Sequence, residues 1–506
     1  MSAIKKRLMS LLALGVSLAA GLGGAYWLHR DSEQHAKKQK RQKQIMPFSE
    51  PQAVVRMTLR TEAGQRIDLS RASADTPWRI THPLEAEADQ TVVDGMVRHL
   101  VDLQYTARIA PEKVEALARF GLASAGPQLR LYGRDGTVGH LLVGKKNSFN
   151  GNIYVTNRPP SDTSKPPKDD AVPVFMVPGR LAYQVDKTLF DLRDKQLVDV
   201  SPSAVQRFSV TLGEASDVLD TASATLRHYA LERDGGRWRL VEPRATRADV
   251  DQVDGILKAL GRAEAAAFLT ADASREALGE WGLDTPDVRV TLQRDEQARV
   301  ELLFARHSSE TSDTQVYATA VHGDDGGPQN VVRLGGDGVL QKLAVSLWAL
   351  REKRLLPVDR ERIAEIELAS DGAKLVFEKR ARPEQSASPP DDAWHLVAPR
   401  AAAADRHAVE GLIYTLTSLR ALKIWDAEPT PVRLEETGLA PPQLRATLRD
   451  AEGAPLGTLT LGKNKGDGRY ARVRGRLPMA LVEASKAKDI DTSADVYLPQ
   501  ADTPKH

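Results

Sequence analysis

The 506-residue chain has no cysteine, which excludes disulfides, thiolate zinc sites, iron–sulfur clusters and cysteine nucleophiles. Charge of one sign is also missing: 70 basic and 68 acidic side chains leave a net +2. That balance gives no bulk electrostatic reason to expect nucleic acid as a partner. The eleven histidines are scattered, with no H-E-x-x-H and no pair at ligand spacing, and no G-x-S-x-G elbow supports serine hydrolysis. Two stretches, Gly139 to Lys146 and Gly457 to Asn464, read G-x4-G-K, but Lys146 and Asn464 stand where a P-loop needs Ser or Thr. Their intervening residues are strand formers, so nucleotide binding is not expected. Asp249, Asp251 and Asp254 cluster in sequence, yet on a helix the first two diverge by about 200°, which suits an acidic helix start better than a metal site. No catalytic, cofactor or metal residue is expected.

Long apolar runs are scarce as well, and the one present is N-terminal. Leu8 to Leu28 carries no charge over 21 residues, a helix of about 31 Å against a bilayer core of roughly 30 Å. Lys5, Lys6 and Arg7 precede it, and Tyr26 and Trp27 close it. A transmembrane anchor over 8–28 is expected, with a cleaved signal peptide as the competing reading. Arg30, Lys37, Lys38, Lys40, Arg41 and Lys43 follow the span, and a bare positive-inside count would put the rest of the chain in the cytoplasm. The basic N-tail is nevertheless built like a secretory n-region, and long domains translocate largely regardless of charge. The expected location is the bacterial inner membrane, single-pass, with the bulk in the periplasm. The basic run reads as a solvated linker against anionic headgroups.

Aromatics make up only 5% of the chain, so their regular placement stands out. Trp78, Trp238 and Trp394 lie 160 and 156 residues apart and each opens the pattern W-x4-P-x5-D, with Pro83, Pro243 and Pro399, then Asp89, Asp249 and Asp405. Each aspartate precedes a helical apolar period: Val92, Val93, Met96, Val97 and Leu100 in the first copy, Val253, Ile256, Leu257 and Leu260 in the second, Val409, Leu412, Ile413, Leu416 and Leu419 in the third. The aspartates are expected to cap these helices, Gln252 completing a capping box in the second. The prolines stop the incoming strand, and the tryptophans plug the space between strand and helix. Gly121, Gly282 and Gly438 each begin a Gly-Leu corner that reads as a left-handed helix end. Alternating strands follow, then Tyr154, Tyr317 and Tyr470. The first two copies close on "LRDKQL" and "LREKRL", for which "KAKDIDTSAD" substitutes in the third. Lys145, Arg306 and Lys463 beside the tyrosines read either as solvated turns or as a repeated basic and aromatic patch.

Hairpin, W-x4-P-x5-D, helix, Gly-Leu corner, strands, tyrosine and the Arg-Asp-Lys ending together resemble the bacterial family called domain of unknown function 4340, over about residues 52 to 500. The resemblance implies membrane-anchored proteins often encoded beside ABC-transporter subunits and gliding-motility-type auxiliary proteins, with no established catalytic residues. The expected fold class is α+β: a transmembrane anchor (1–30), a basic linker (31–51), three tandem α+β units (52–198, 199–357, 358–500) and a tail (501–506). The expected function is a non-enzymatic accessory or scaffold protein of an ABC-transporter-like envelope complex. Two alternatives stay open: a periplasmic ligand-binding protein for cell-wall glycan or peptide, and an unrecognised hydrolase assembled across copies.

Overall fold

A computed structural model describes residues 41–110, 114, 117–122, 126–158, 172–213, 225–270, 275–294, 299–308, 314–323, 330–380 and 393–499. The expected anchor at 8–28 lies outside these residues. Among the described residues no helix is long and apolar enough to cross a membrane.

Three nine-stranded antiparallel sheets follow one another along the chain. In the first, the strands are β1 (Val54–Arg60), β2 (Arg66–Ser70), β3 (Arg79–His82), β4 (Ala86–Glu87), β5 (Ala107–Ile109), β6 (Gln128–Gly133), β7 (Val138–Lys146), β8 (Ile153–Thr156) and β9 (Val174–Val177). Their spatial order is β4-β3-β2-β1-β6-β7-β8-β9-β5. Two meanders thus meet at the β1/β6 pair, and β5 closes the far edge. The second sheet (Arg207 to Leu334) and the third (Glu365 to Glu483) repeat this order.

The helix expected after each signature aspartate is present: α1 (Gln90–Val101), α2 (Val250–Gly261) and α3 (Arg406–Ser418). Each connects the edge strand β4, or its equivalent, to the opposite edge strand, and so must traverse one face of its sheet. That face is the main core. Val93, Met96, Val97 and Leu100 of α1 pack with Met57, Leu59, Ile67, Leu69 and Leu131 of the strands. The pleat sends alternate residues to the other face, so Leu141 and Val143 of β7 join this core while Leu142 between them joins a smaller cluster with Leu122, Val174 and Tyr154.

By compactness the described chain forms two units. One holds residues up to Val205 together with Gly213 and Leu257–Gln341; the other holds Gln206–Leu212, the residues up to Ile256, and Lys342 onward. The second sheet is therefore divided between them.

The expectation of a wholly solvated basic linker over 31–51 is corrected for its C-terminal part. Ile45, Met46 and Phe48 are 5%, 3% and 4% exposed and belong to the first core. The charge of this stretch hid three apolar side chains at spacings that a buried extended segment can use.

Candidate functional site

The signature residues build each repeat from within. Trp78, Trp238 and Trp394 are buried. The Trp78 indole N–H donates to Asp94 Oδ1 at 3.0 Å, and the Gln90 amide ties the Trp78 backbone from both sides, accepting its N–H at 2.7 Å and donating to its carbonyl at 2.9 Å. Arg71 and Arg233 lie over the rings of Trp78 and Trp238. Each peptide before Pro83, Pro243 and Pro399 is cis, and each proline directly follows the last residue of a strand, as expected.

Asp89, Asp249 and Asp405 accept the amides of Val92, Gln252 and Ala408 at 3.0, 3.2 and 2.9 Å, a cap on each helix start. The capping box expected from Gln252 is not completed in return, because the Asp249 N–H donates to the Leu350 carbonyl at 2.8 Å. Gly121, Gly282 and Gly438 have φ of 72°, 70° and 70°, the left-handed corner that a side chain would strain.

Tyr154, Tyr317 and Tyr470 turn inward beneath that corner. Their rings meet Phe120, Trp281 and Trp425 at 5.0, 4.9 and 6.1 Å, so they are packing residues of the smaller cores and not an open aromatic patch. Lys145 and Lys463 are exposed and Arg306 is half-buried. Both G-x4-G-K stretches lie within strands, β7 and its equivalent Pro455–Lys465, with a shift of register at the Gly-Lys step. Their second glycines serve packing: a Cβ on Gly144 would collide with the Phe120 carbonyl, and one on Gly462 with that of Thr437. Among the described residues no group of three or more His, Asp or Glu is placed to hold a metal ion.

What sequence reading missed lies at the repeat ends. The closing segments are extended and clasp the repeat that follows. Leu197 donates its amide to the Ala263 carbonyl at 2.9 Å, and Ala265 donates to the Lys195 carbonyl at 2.8 Å. Leu355 and Leu419, then Ala421 and Lys353, repeat this pair at 2.8 and 2.8 Å. The lysine of each clasp reaches back to the helix-capping aspartate: Lys195 Nζ is 3.8 Å from Asp89, and Lys353 Nζ is 3.3 Å from Asp249, which also binds Arg420 at 2.8 Å. Burial of Asp249 opposes its charge, but the Gln252 amide, Lys353 and Arg420 outweigh that cost and hold its carboxyl below the ordinary value.

The first repeat is held by the same clasp. Ile45 donates to the Leu103 carbonyl at 3.1 Å and Tyr105 to the Lys43 carbonyl at 3.0 Å. Arg41-Gln-Lys-Gln-Ile45 therefore stands where Arg193-Asp-Lys-Gln-Leu197 and Arg351-Glu-Lys-Arg-Leu355 stand, a third copy of the closing sequence. The signal was visible as R-x-K-[QR]-[IL], but it is short and sits inside a basic run. In the third repeat Asp405 donates its N–H to the Tyr497 carbonyl at 2.7 Å, which puts the counterpart of the closing segment at Tyr497–Pro499. "KAKDIDTSAD", expected to replace that ending, lies before it and runs from the last turn of the short helix Ala484–Lys488 into the 3-10 turn Ala494–Tyr497.

Beside the clasps at Lys195–Leu197 and Lys353–Leu355 lie two clefts. The first, about 450 Å³, includes Arg79, Glu85, Glu87, Arg193, Asp194 and Asn330 in its walls. The second, about 520 Å³, includes Asp234, Arg237, Arg239, Arg247, Glu352 and Arg476.

One α+β unit built three times, with each closing segment clasping the next copy, defines a tandem-repeat protein. The chain belongs to the family described as domain of unknown function (DUF4340), whose model matches residues 78–233, 238–393 and 394–497. Each match begins at a signature tryptophan, whereas each sheet begins a hairpin earlier. No curated protein and no solved structure matches the chain.

Proposed function

We propose that this protein is a non-enzymatic accessory or scaffold component of an ABC-transporter-like envelope complex, anchored by residues 8–28 in the bacterial inner membrane with its repeats in the periplasm. The observation that carries the non-enzymatic reading is the use made of the signature residues. Trp78, Trp238 and Trp394 are core, the three aspartates cap helices, and the tyrosines pack inward. The residues that repeat are thus spent on architecture, as in proteins whose repeats present surfaces to partners. The transporter association rests on the family resemblance alone, and the anchor rests on the apolar run. Affinity purification of the full chain from solubilised membranes, followed by mass spectrometry, should co-enrich transporter subunits. Recovery of no integral transporter subunit from gently solubilised membranes would overturn the association. A reporter active only after export, fused after residue 500, should be active; activity of a cytoplasm-only reporter there would overturn the topology.

A further inference from the structure

The two junction clefts occupy equivalent places and carry opposite charge. Glu87 and Arg247 both stand two residues before the capping aspartate, and Asn330 and Arg476 both stand just before the strand equivalent to β9. In the first cleft Arg193 donates to Asn330 Oδ1 at 2.6 Å, so its buried guanidinium is satisfied. In the second, Arg476 replaces that acceptor with a like charge, and Arg351, the counterpart of Arg193, pairs with Asp426 at 2.5 Å instead.

The carboxylates of the second cleft do not offset what remains. Glu352 is held bidentately by Arg354 at 2.7 to 3.2 Å, and Asp234 lies 3.8 Å from Arg239. Among the described residues, the Arg247 guanidinium makes no hydrogen bond or ion pair. Arg476 donates one bond, to the Leu355 carbonyl, while its buried Nε has no partner. Burial chiefly, with Arg247 next, holds Arg476 down at about 10. Crowded, poorly paired guanidinium groups cost stability unless a counter-charge joins them.

We propose that the cleft lined by Arg237, Arg239, Arg247 and Arg476 is a binding site for a phosphate-bearing small molecule. A carboxylate's two oxygens serve one guanidinium fork, whereas three phosphoryl oxygens serve two. Arg247 and Arg476 hold the phosphoryl group, and Arg237 and Arg239 guard the mouth. At about 520 Å³ the cleft exceeds a lone phosphate and falls in the usual range for ligand sites, roughly 300 to 1,000 Å³, which leaves room for the rest of the molecule. This site is separate from the G-x4-G-K strands and goes beyond the scaffold reading.

The test is calorimetric titration of the full chain in detergent at constant ionic strength, with inorganic pyrophosphate and with glycerol 1-phosphate. Saturable binding of either supports the phosphoryl site; preference for pyrophosphate points to a soluble ligand, and preference for glycerol phosphate to a lipid headgroup. Arg247→Glu, which copies the acidic character of the first cleft, should weaken binding about tenfold or more, and Arg476→Asn, which copies Asn330, should do the same. Arg247 is exposed and its replacement by Glu removes a like charge beside Arg476, so Arg247→Glu is expected to melt no lower than wild type, and loss of binding in that folded variant separates recognition from stability. Absence of saturable binding by both probes at millimolar concentration, or unchanged affinity in Arg247→Glu, overturns the proposal.

Discussion

Replacing Ile45 and Phe48 by alanine tests whether the segment before the first sheet is part of that repeat. Both side chains are buried in the first core at 5% and 4% exposure, next to the backbone bonds that Ile45 and Lys43 make with Leu103 and Tyr105, between α1 and β5. Large-to-small changes at such sites cost about 2 to 5 kcal/mol for Ile and about 3 to 5 for Phe. The two share one core, so their effects will not simply add. Taking about 3 kcal/mol for either alone, native-state exchange through global opening of the repeat should speed roughly 150-fold. Hydrogen exchange read by mass spectrometry resolves this by region. Peptides from β1, β6 and α1 should lose protection, while peptides from the third sheet should not, since tandem repeats contact mainly their neighbours. Exchange in the first sheet within twofold of wild type would mean that residues 41–48 are the solvated linker their charge suggests, and the clasp would be refuted.

Further expectations follow from the same packing. Trp238→Ala should cost about 3 to 5 kcal/mol through the cavity it leaves, and Asp405→Ala about 0.5 to 2 kcal/mol through the lost cap, both read as urea midpoints by fluorescence and exchange. Asp249→Ala should cost more than Asp405→Ala, because Asp249 also binds Lys353 and Arg420; equal costs would show those pairs to be idle. The folded carboxyl of Asp249 sits below its ordinary value, so its contribution is complete above about pH 4 and is lost as pH falls through the folded value. Wild type should therefore lose more stability than Asp249→Asn on going from about pH 5 to pH 3, and parallel losses would contradict the sign. Gly462→Ala should lower the melting temperature of the third repeat, since its Cβ would meet the Thr437 carbonyl, whereas Gly453→Ala, with open space around its Cβ but φ of 81°, should show only the smaller cost of a strained turn.

Much of the architecture was readable from the chain because the features concerned are local. Trp-Pro-Asp spacing, the 3.6-residue period after Asp89, Asp249 and Asp405, and the left-handed Gly-Leu corners each specify a turn or helix within a dozen residues. The threefold repetition gave each feature two further copies. Tertiary structure decided what depends on partners far apart in sequence. Nothing near Lys195 announces Asp89, and nothing near Arg420 announces Asp249, because these pairs arise only when a closing segment lies across an edge strand more than 60 residues away. The same holds for Arg41 to Ile45, whose likeness to the closing sequences acquires meaning only when the segment between α1 and β5 offers Leu103 and Tyr105 as partners. The second cleft is the clearest case: Arg247 and Arg476 are 229 residues apart, each unremarkable on its own strand end, and become a concentrated positive charge only because strand order brings one repeat's edge hairpin against the next repeat's last turn.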